Sequence, residues 1–253
     1  SINDEVLVNK KYTKAGHILK KGDIIEVNHL AVDDDVRPEK MDLDIVYEDD
    51  DIIVVNKANG VVVHPAPGNY HGTLVNGLLY HTKLSDINGS VRPGIVHRID
   101  AYTTGLLMIA KNNKAHEFLA SELSSKKAYR KYIALVWGVI SNDSGTIDAP
   151  IGRSLNDRKK MAVVANGKPA ITHFKVLKRY QDCTPLEINI ETGRTHQIRV
   201  HLSHIGYPII GDDVYSNGKN KWNIEGQCLH AKALDFKHPI TGKTMHIEAE
   251  LQS

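Results

Sequence analysis

Short runs of apolar and β-branched residues recur along most of this chain, each cut off within a few positions by Gly, Pro, Asn or charge. They include DIIVVNK from Asp51, LLMIAK from Leu106, YRKYIALVWG from Tyr129, THFKVLKRY from Thr172, PLEINIET from Pro185 and MHIEAEL from Met245. Runs this short read as strands rather than helices. In YRKYIALVWG, Tyr132, Ala134 and Val136 alternate with Ile133, Leu135 and Trp137, the pattern of a strand covered on both faces. GVVVHP, after the turn Ala58-Asn59-Gly60, reads as a further strand. Helices are fewer. One is predicted over residues 73–81. A second covers KAHEFLASELSSK, with Asn113 as its cap and Ala115, Phe118, Leu119 and Leu123 on one stripe. A third covers THQIRVHLSHIG and ends at Gly206. Strands outnumber helices without strict alternation, which predicts an α+β fold around a mixed, mostly antiparallel central sheet with flanking helices.

The 253 residues suffice for one large domain with a small appendage. The segment VLVNKKYTKAGHILKKGDIIEVNHL reads as short strands and turns: Val6 and Val8 alternate, Lys21-Gly22-Asp23 turns, and residues 24–27 extend. It is too short to bury much alone. The acidic stretch VDDDVRPEKMDLDIVYEDDD, with Pro38, reads as a linker. The boundary is placed near residue 40, dividing 1–40 from a main domain over 41–253.

Charge is unevenly spread. Residues 1–51 hold 7 Lys/Arg against 14 Asp/Glu, and residues 52–253 hold 25 against 16, so the main domain is basic although the whole chain is only +2. A basic surface points to a polyanionic partner, against the plainer reading of a solvated charged face. No run of eighteen apolar residues is present, so no membrane span is expected. SINDEVLVNKKYTK has no signal-peptide core, and two cysteines make no disulfide framework; the cytoplasm is the expected compartment. The 14 histidines raise a metal reading, but His196, His201 and His204 are poorly spaced as ligands and no HExxH or Cys/His quartet exists. No GxGxxG, GxxxxGK[ST] or GxSxG element appears. Neither a metal nor a cofactor is expected.

The stretch GIVHRIDAYTTGLLMIAK carries the clearest chemical signal. Asp100 stands on a loop at the mouth of an apolar strand, behind Arg98 and ahead of Thr103-Thr104-Gly105. An Asp that only shapes a turn is the plain alternative. A partly buried carboxylate needs a cation to stay ionised, and ETGRTHQIRVHLSH offers Arg194 and Arg199.

HRIDAYTTGLLMIAKN resembles the signature of the RluA family of pseudouridine synthases, usually written HRLDxxTSGLL. The likeness continues in family order through VVNKANGVVVHP, KKAYRKYIALVWG, IDAPIGRSLNDRKKMAV, GKPAITHF, ETGRTHQIRVHL, YPIIGDDVYS and LHAKALDFKHPITG, covering roughly residues 43–251. Ala58 replaces the usual Pro, and Ile99 and Thr104 replace Leu and Ser. The N-terminal segment is similar to the second half of the small alpha-L RNA-binding domain that often precedes this catalytic domain in the ribosomal branch; that domain's opening helices are not among these residues. The resemblance implies isomerisation of uridine to pseudouridine in structured RNA, of the large-subunit 23S-type ribosomal kind, without metal or cofactor; no element of the sequence encodes an oligomeric state, and a monomer is the default expectation. It implies Asp100 as the catalytic carboxylate, acting as nucleophile at C1′ or as base at C2′. It makes Arg199 the ion-pair partner and Tyr132 the residue that holds the uracil. Arg98 and Arg194 would contact RNA, with Lys126, Lys127, Arg130, Lys159 and Lys160 as candidate phosphate contacts. Ile198 and Leu202 would wall the pocket. A transfer RNA target, a non-catalytic ribosome-assembly factor and a two-carboxylate glycoside hydrolase are the competing readings.

Overall fold

The β-branched runs pair into sheets in the computed structural model, which describes residues 4–13, 16–29, 36–66, 69–157, 160–216, 218 and 222–250. Strands β1 (Asp4–Val8), β2 (Lys11–Tyr12) and β3 (Ile25–His29) form a small antiparallel sheet, β2-β1-β3. Residues 36–44 are irregular and lead into β4 (Ile45–Glu48). The main sheet then assembles from β5 (Ile52–Lys57), β6 (Thr104–Ala110), β7 (Tyr129–Trp137) and β8 (Ser144–Asp148). After the separate hairpin of β9 (Ile151–Arg153) and β10 (Met161–Val163), it is completed by β11 (Ile171–Val176), β12 (Cys183–Ile190), β13 (Leu229–Lys237) and β14 (Thr244–Glu248). Its order is β4-β5-β6-β13-β7-β12-β11-β8, with β14 also paired to β13. The β13–β6 contact is parallel and the other named pairings are antiparallel, so the sheet is mixed and mostly antiparallel.

Among the described residues there are three helices, α1 (Leu74–His81), α2 (Asn113–Ser124) and α3 (Gln197–His204). Thr73 and Asn76 close a capping box on α1. The cap of α2 is Asn112, one residue before the expected position, because Asn113 instead bonds Ser85 and Asp86 and ties down their loop. Helix α3 ends in a Schellman turn: Gly206 at φ 88° lets its amide reach Ser203 O and the Tyr207 amide reach Leu202 O.

GVVVHP is not a strand. The Val62 and Val63 carbonyls accept the Leu74 and Val75 amides at 2.8 and 3.1 Å, so they cover the first turn of α1 instead of pairing with a neighbouring strand.

Two apolar clusters flank the main sheet. On one face Ile53, Val55, Leu107, Ala134 and Val136 pack against Leu74 and Leu78 of α1 and Leu202 of α3. On the other, Ile52, Val54, Leu106 and Met108 pack against Ala115 and Leu119 of α2. The central pair β5 and β6 is therefore buried on both sides.

Candidate active site

The loop ahead of β6 is held rigidly. Ile95 and Ile99 anchor it in the core, and the Thr103 amide donates to Asp100 O at 3.0 Å, closing a turn. Lys57 Nζ donates to the Ala101 and Ala58 carbonyls at 2.6 and 2.8 Å, and Gln227 Nε2 donates to Thr103 Oγ1 at 2.9 Å. Gly105 follows at φ 105°, and a Cβ there would lie 2.3 Å from Ala231 O on β13. Only glycine permits this approach, which seats the loop over the parallel β6–β13 contact.

Asp100 Oδ2 accepts from Arg199 Nη1 at 3.0 Å. The same guanidinium donates Nε and Nη2 to Asp212 at 2.7 and 2.9 Å. The Asp212 side chain is fully buried, that of Arg199 is 6% exposed and that of Asp100 18%. Asp212 also accepts the Val214 and Tyr215 amides, so its lone pairs are occupied. Asp100 keeps an oxygen directed to the cleft, with His196 Nε2 at 4.0 Å. Burial opposes the Arg199 charge, but Asp212 and Asp100 outweigh it and raise the guanidinium above its usual pKa. Burial lowers the pKa of His196, against the pull of Asp100; its Nδ1 sits 2.8 Å from Tyr215 OH. Burial pushes the Lys57 ammonium down to about 7, with Asp100 acting in the opposite sense.

Asp100, His196 and Arg199 line an open cleft of about 550 Å³, counted to its mouth. Asp100, Tyr132, Arg199, Arg98, Arg194, Arg130 and Ile198, all singled out in the sequence, meet there. Burial raises the Tyr132 phenol above its usual pKa, so it remains protonated at neutral pH. Arg98 is exposed at the mouth, with Nη1 3.4 Å from His64 Nε2. Arg194 donates to Pro169 O.

Other sequence candidates fall elsewhere. Leu202 does not wall the cleft: it lies one turn beyond Ile198 on the same face of α3 and is fully buried in the core. Arg130 does line the cleft, but its position on the inner face of β7 leaves it only 7% exposed. Lys126 and Lys127 lie beyond α2 and do not line the cleft, and Lys126 pairs with Glu191 at 2.5 Å. Lys160 donates to Val214 O. Lys159 lies outside the described residues. The helical histidines do not converge: His201 bonds Thr172 and Ala149 O, and His204 is exposed. Asp49, Asp51 and His238 do lie together, but Asp49 already takes bonds from Tyr47, His238 and the Asp51 and Ile52 amides. Asp212 and Lys57 were passed over in the sequence. The one signal for Asp212 was an acidic pair directly after the apolar YPIIG.

The family model for RNA pseudouridylate synthase matches residues 51–204. The chain belongs to this family. It is 55% identical to the uncharacterized RNA pseudouridine synthase YlyB of Bacillus subtilis, over 98% of this chain and 82% of that protein. It is 48% identical to the ribosomal large subunit pseudouridine synthase D of Pseudomonas aeruginosa, over 83% and 69% of the two chains. Among solved structures, human RNA pseudouridylate synthase domain containing 1 superposes with a TM-score of 0.68 at 27% identity, covering 83% of each chain. The α+β architecture is thus that of the family, and the chain is an isomerase of its RluA branch.

Proposed function

We propose that this protein converts uridine to pseudouridine in large-subunit ribosomal RNA, with Asp100 as the catalytic carboxylate. The carrying observation is the Asp100–Arg199–Asp212 array in the cleft. Asp212 fixes Arg199 from behind, so Arg199 presents one donor to Asp100 and pairs with it in a partly buried site. Asp100 thereby retains a free oxygen for C1′ or for the C2′ proton. Tyr132, on the adjoining wall, offers a ring for the flipped uracil. Arg98 and Arg194 stand at the mouth, where RNA phosphates pass. Ribosomal RNA as substrate is supported by the likeness to synthases named for the large subunit. Residues 1–40 supply further RNA contact, and the free cysteines 183 and 228 suit a reducing cytoplasm.

The test is tritium release from ribosomal RNA lacking pseudouridine and labelled at uracil C5. Forming the C5–C1′ bond must expel that label. Release by the wild type and none by Asp100→Asn is the expected result. Equal release by both removes Asp100 from the chemistry, and release from transfer RNA alone overturns the substrate.

A further inference from the structure

The cleft carries one cation too many. Arg199 is matched by Asp212 and Asp100. Arg98 and Arg194 sit nearer solvent, which screens them. Arg130 is only 7% exposed and lines the cleft, and its side chain forms no hydrogen bond or ion pair with any described residue; its Nε is a buried donor without an acceptor. It stands two residues before Tyr132 on the same face of β7. A Cβ at residue 193 would lie 3.1 Å from Arg130 Nη1, a tight contact that the glycine there avoids. A buried, unpaired guanidinium is costly to keep in a fold.

The neighbouring ring does not neutralise it. His97 Nε2 accepts the Met108 amide at 3.0 Å, so the ring proton sits on Nδ1, another buried donor without an acceptor. Burial and the charge of Arg130 push the His97 pKa down to about 3, and the ring stays neutral. His97 lies behind the cleft wall, so Arg130 brings the positive charge to this corner of the cleft, with no anion paired to it among the described residues.

We propose that Arg130 is a catalytic residue that stabilises the uracil anion while the base is detached. The inference rests on the reaction proposed above. When the N1–C1′ bond breaks, its electron pair leaves with the base, and negative charge spreads over N1, O2 and O4 while N3 keeps its proton. C5 then bonds to C1′, the C5 proton is lost, and N1 takes up a proton; substrate and product are neutral isomers. The base leaves as an anion whether Asp100 attacks C1′ or removes the C2′ proton. Arg130 suits the base rather than a phosphate because it lies beside Tyr132 inside the cleft, whereas Arg98 is exposed at the mouth. An arginine fork can receive a carbonyl oxygen of the anion. Its partner exists only between bond breaking and bond making, so it accelerates the reaction without tightening RNA binding.

The experiment compares wild type, Arg130→Gln and Arg130→Lys under single turnover, with RNA affinity measured separately by filter binding. Loss of a preorganised donor to a developing anion costs about 10²–10³-fold in rate. Arg130→Gln is expected to show that loss with a Kd unchanged within about twofold, and Arg130→Lys, which keeps the charge without the fork, a smaller one. RNA carrying 5-fluorouridine, whose more acidic base is a better leaving group, should reduce the Arg130→Gln deficit in substrate consumption. Equal deficits on both RNAs, or a Kd that weakens as much as the rate falls, overturn the assignment and leave the reaction standing. If Arg130→Gln does not fold, Arg130→Lys decides: a deficit equal on both RNAs refutes the role. Failure of the wild type to turn over overturns the reaction and this assignment together.

Discussion

Asp100 and Asp212 bind one guanidinium and should fail in opposite ways when each is changed to Asn. In Asp212→Asn, Oδ1 can still accept Arg199 Nη2 and the Val214 and Tyr215 amides, while the new NH2 faces Arg199 Nε, donor against donor. Removing one partner of a buried pair costs about 3–5 kcal/mol. Because Asp100 still pairs with Arg199, the lower end applies. About 3 kcal/mol corresponds to a fall in Tm of roughly 6–12 °C for a chain of this size. Activity below the new Tm should drop about 10–100-fold, because Arg199 loses the partner that orients it. Asp100→Asn leaves Arg199 with its buried partner, so its cost is about 1 kcal/mol, one modest hydrogen bond. Tritium release, however, should fall by about 10³-fold or more, since the carboxylate itself is gone. Thermal unfolding and single-turnover tritium release on the same preparations measure both. An Asp212→Asn protein melting within about 2 °C of wild type refutes the reasoning, as does equal destabilisation by the two changes.

Three further predictions use the same structure. Lys57 titrates near 7 when folded and about 10.4 when unfolded. Between those values the unfolded chain binds more protons, so stability rises with pH by up to about 1.4 kcal/mol per unit. Urea unfolding at pH 7 and 9 should show wild type gaining about 2–3 kcal/mol more than Lys57→Met; parallel pH dependences would sink the assignment. Arg98→Gln should lower the magnitude of the log Kd against log salt slope by about 0.7, one single-strand phosphate contact; an unchanged slope means Arg98 touches no phosphate. Gly105→Ala places a methyl 2.3 Å from Ala231 O at a positive φ and should lose at least about 3 kcal/mol or fail to fold. A urea midpoint near that of wild type would mean that β6 and β13 do not meet as described.

Much of the site was legible because its chemistry is local in the chain. Asp100, Thr103, Thr104 and Gly105 are consecutive or nearly so, and their order marks a loop that turns sharply into a buried strand. The apolar strands announced themselves by β-branching, and α2 by its stripe of Ala115, Phe118, Leu119 and Leu123. Two stretches misled for opposite reasons. GVVVHP has strand composition, but its carbonyls serve the first turn of α1. LHAKALDFK mixes alanine and lysine and carries no strand signal, yet it forms β13 at the centre of the sheet, between β6 and β7.

The amino-acid sequence by itself determined the fold class, the catalytic loop and the set of arginines available to it, because periodicity and motif order are properties of neighbouring residues. Only the tertiary structure decided that Arg199, expected as the partner of Asp100, is shared with a second carboxylate, Asp212. Arg199 and Asp100 are 99 positions apart and join across the cleft once α3 packs on the sheet. Asp212 becomes the rear support of Arg199 because the turn after Ile210 buries it completely. Arg130 changes from a surface cation to a buried one because strand alternation turns it inward with Tyr132. Charge in the sequence is a count; its partner, desolvation and reach are set by long-range packing, and those three quantities give each arginine its work.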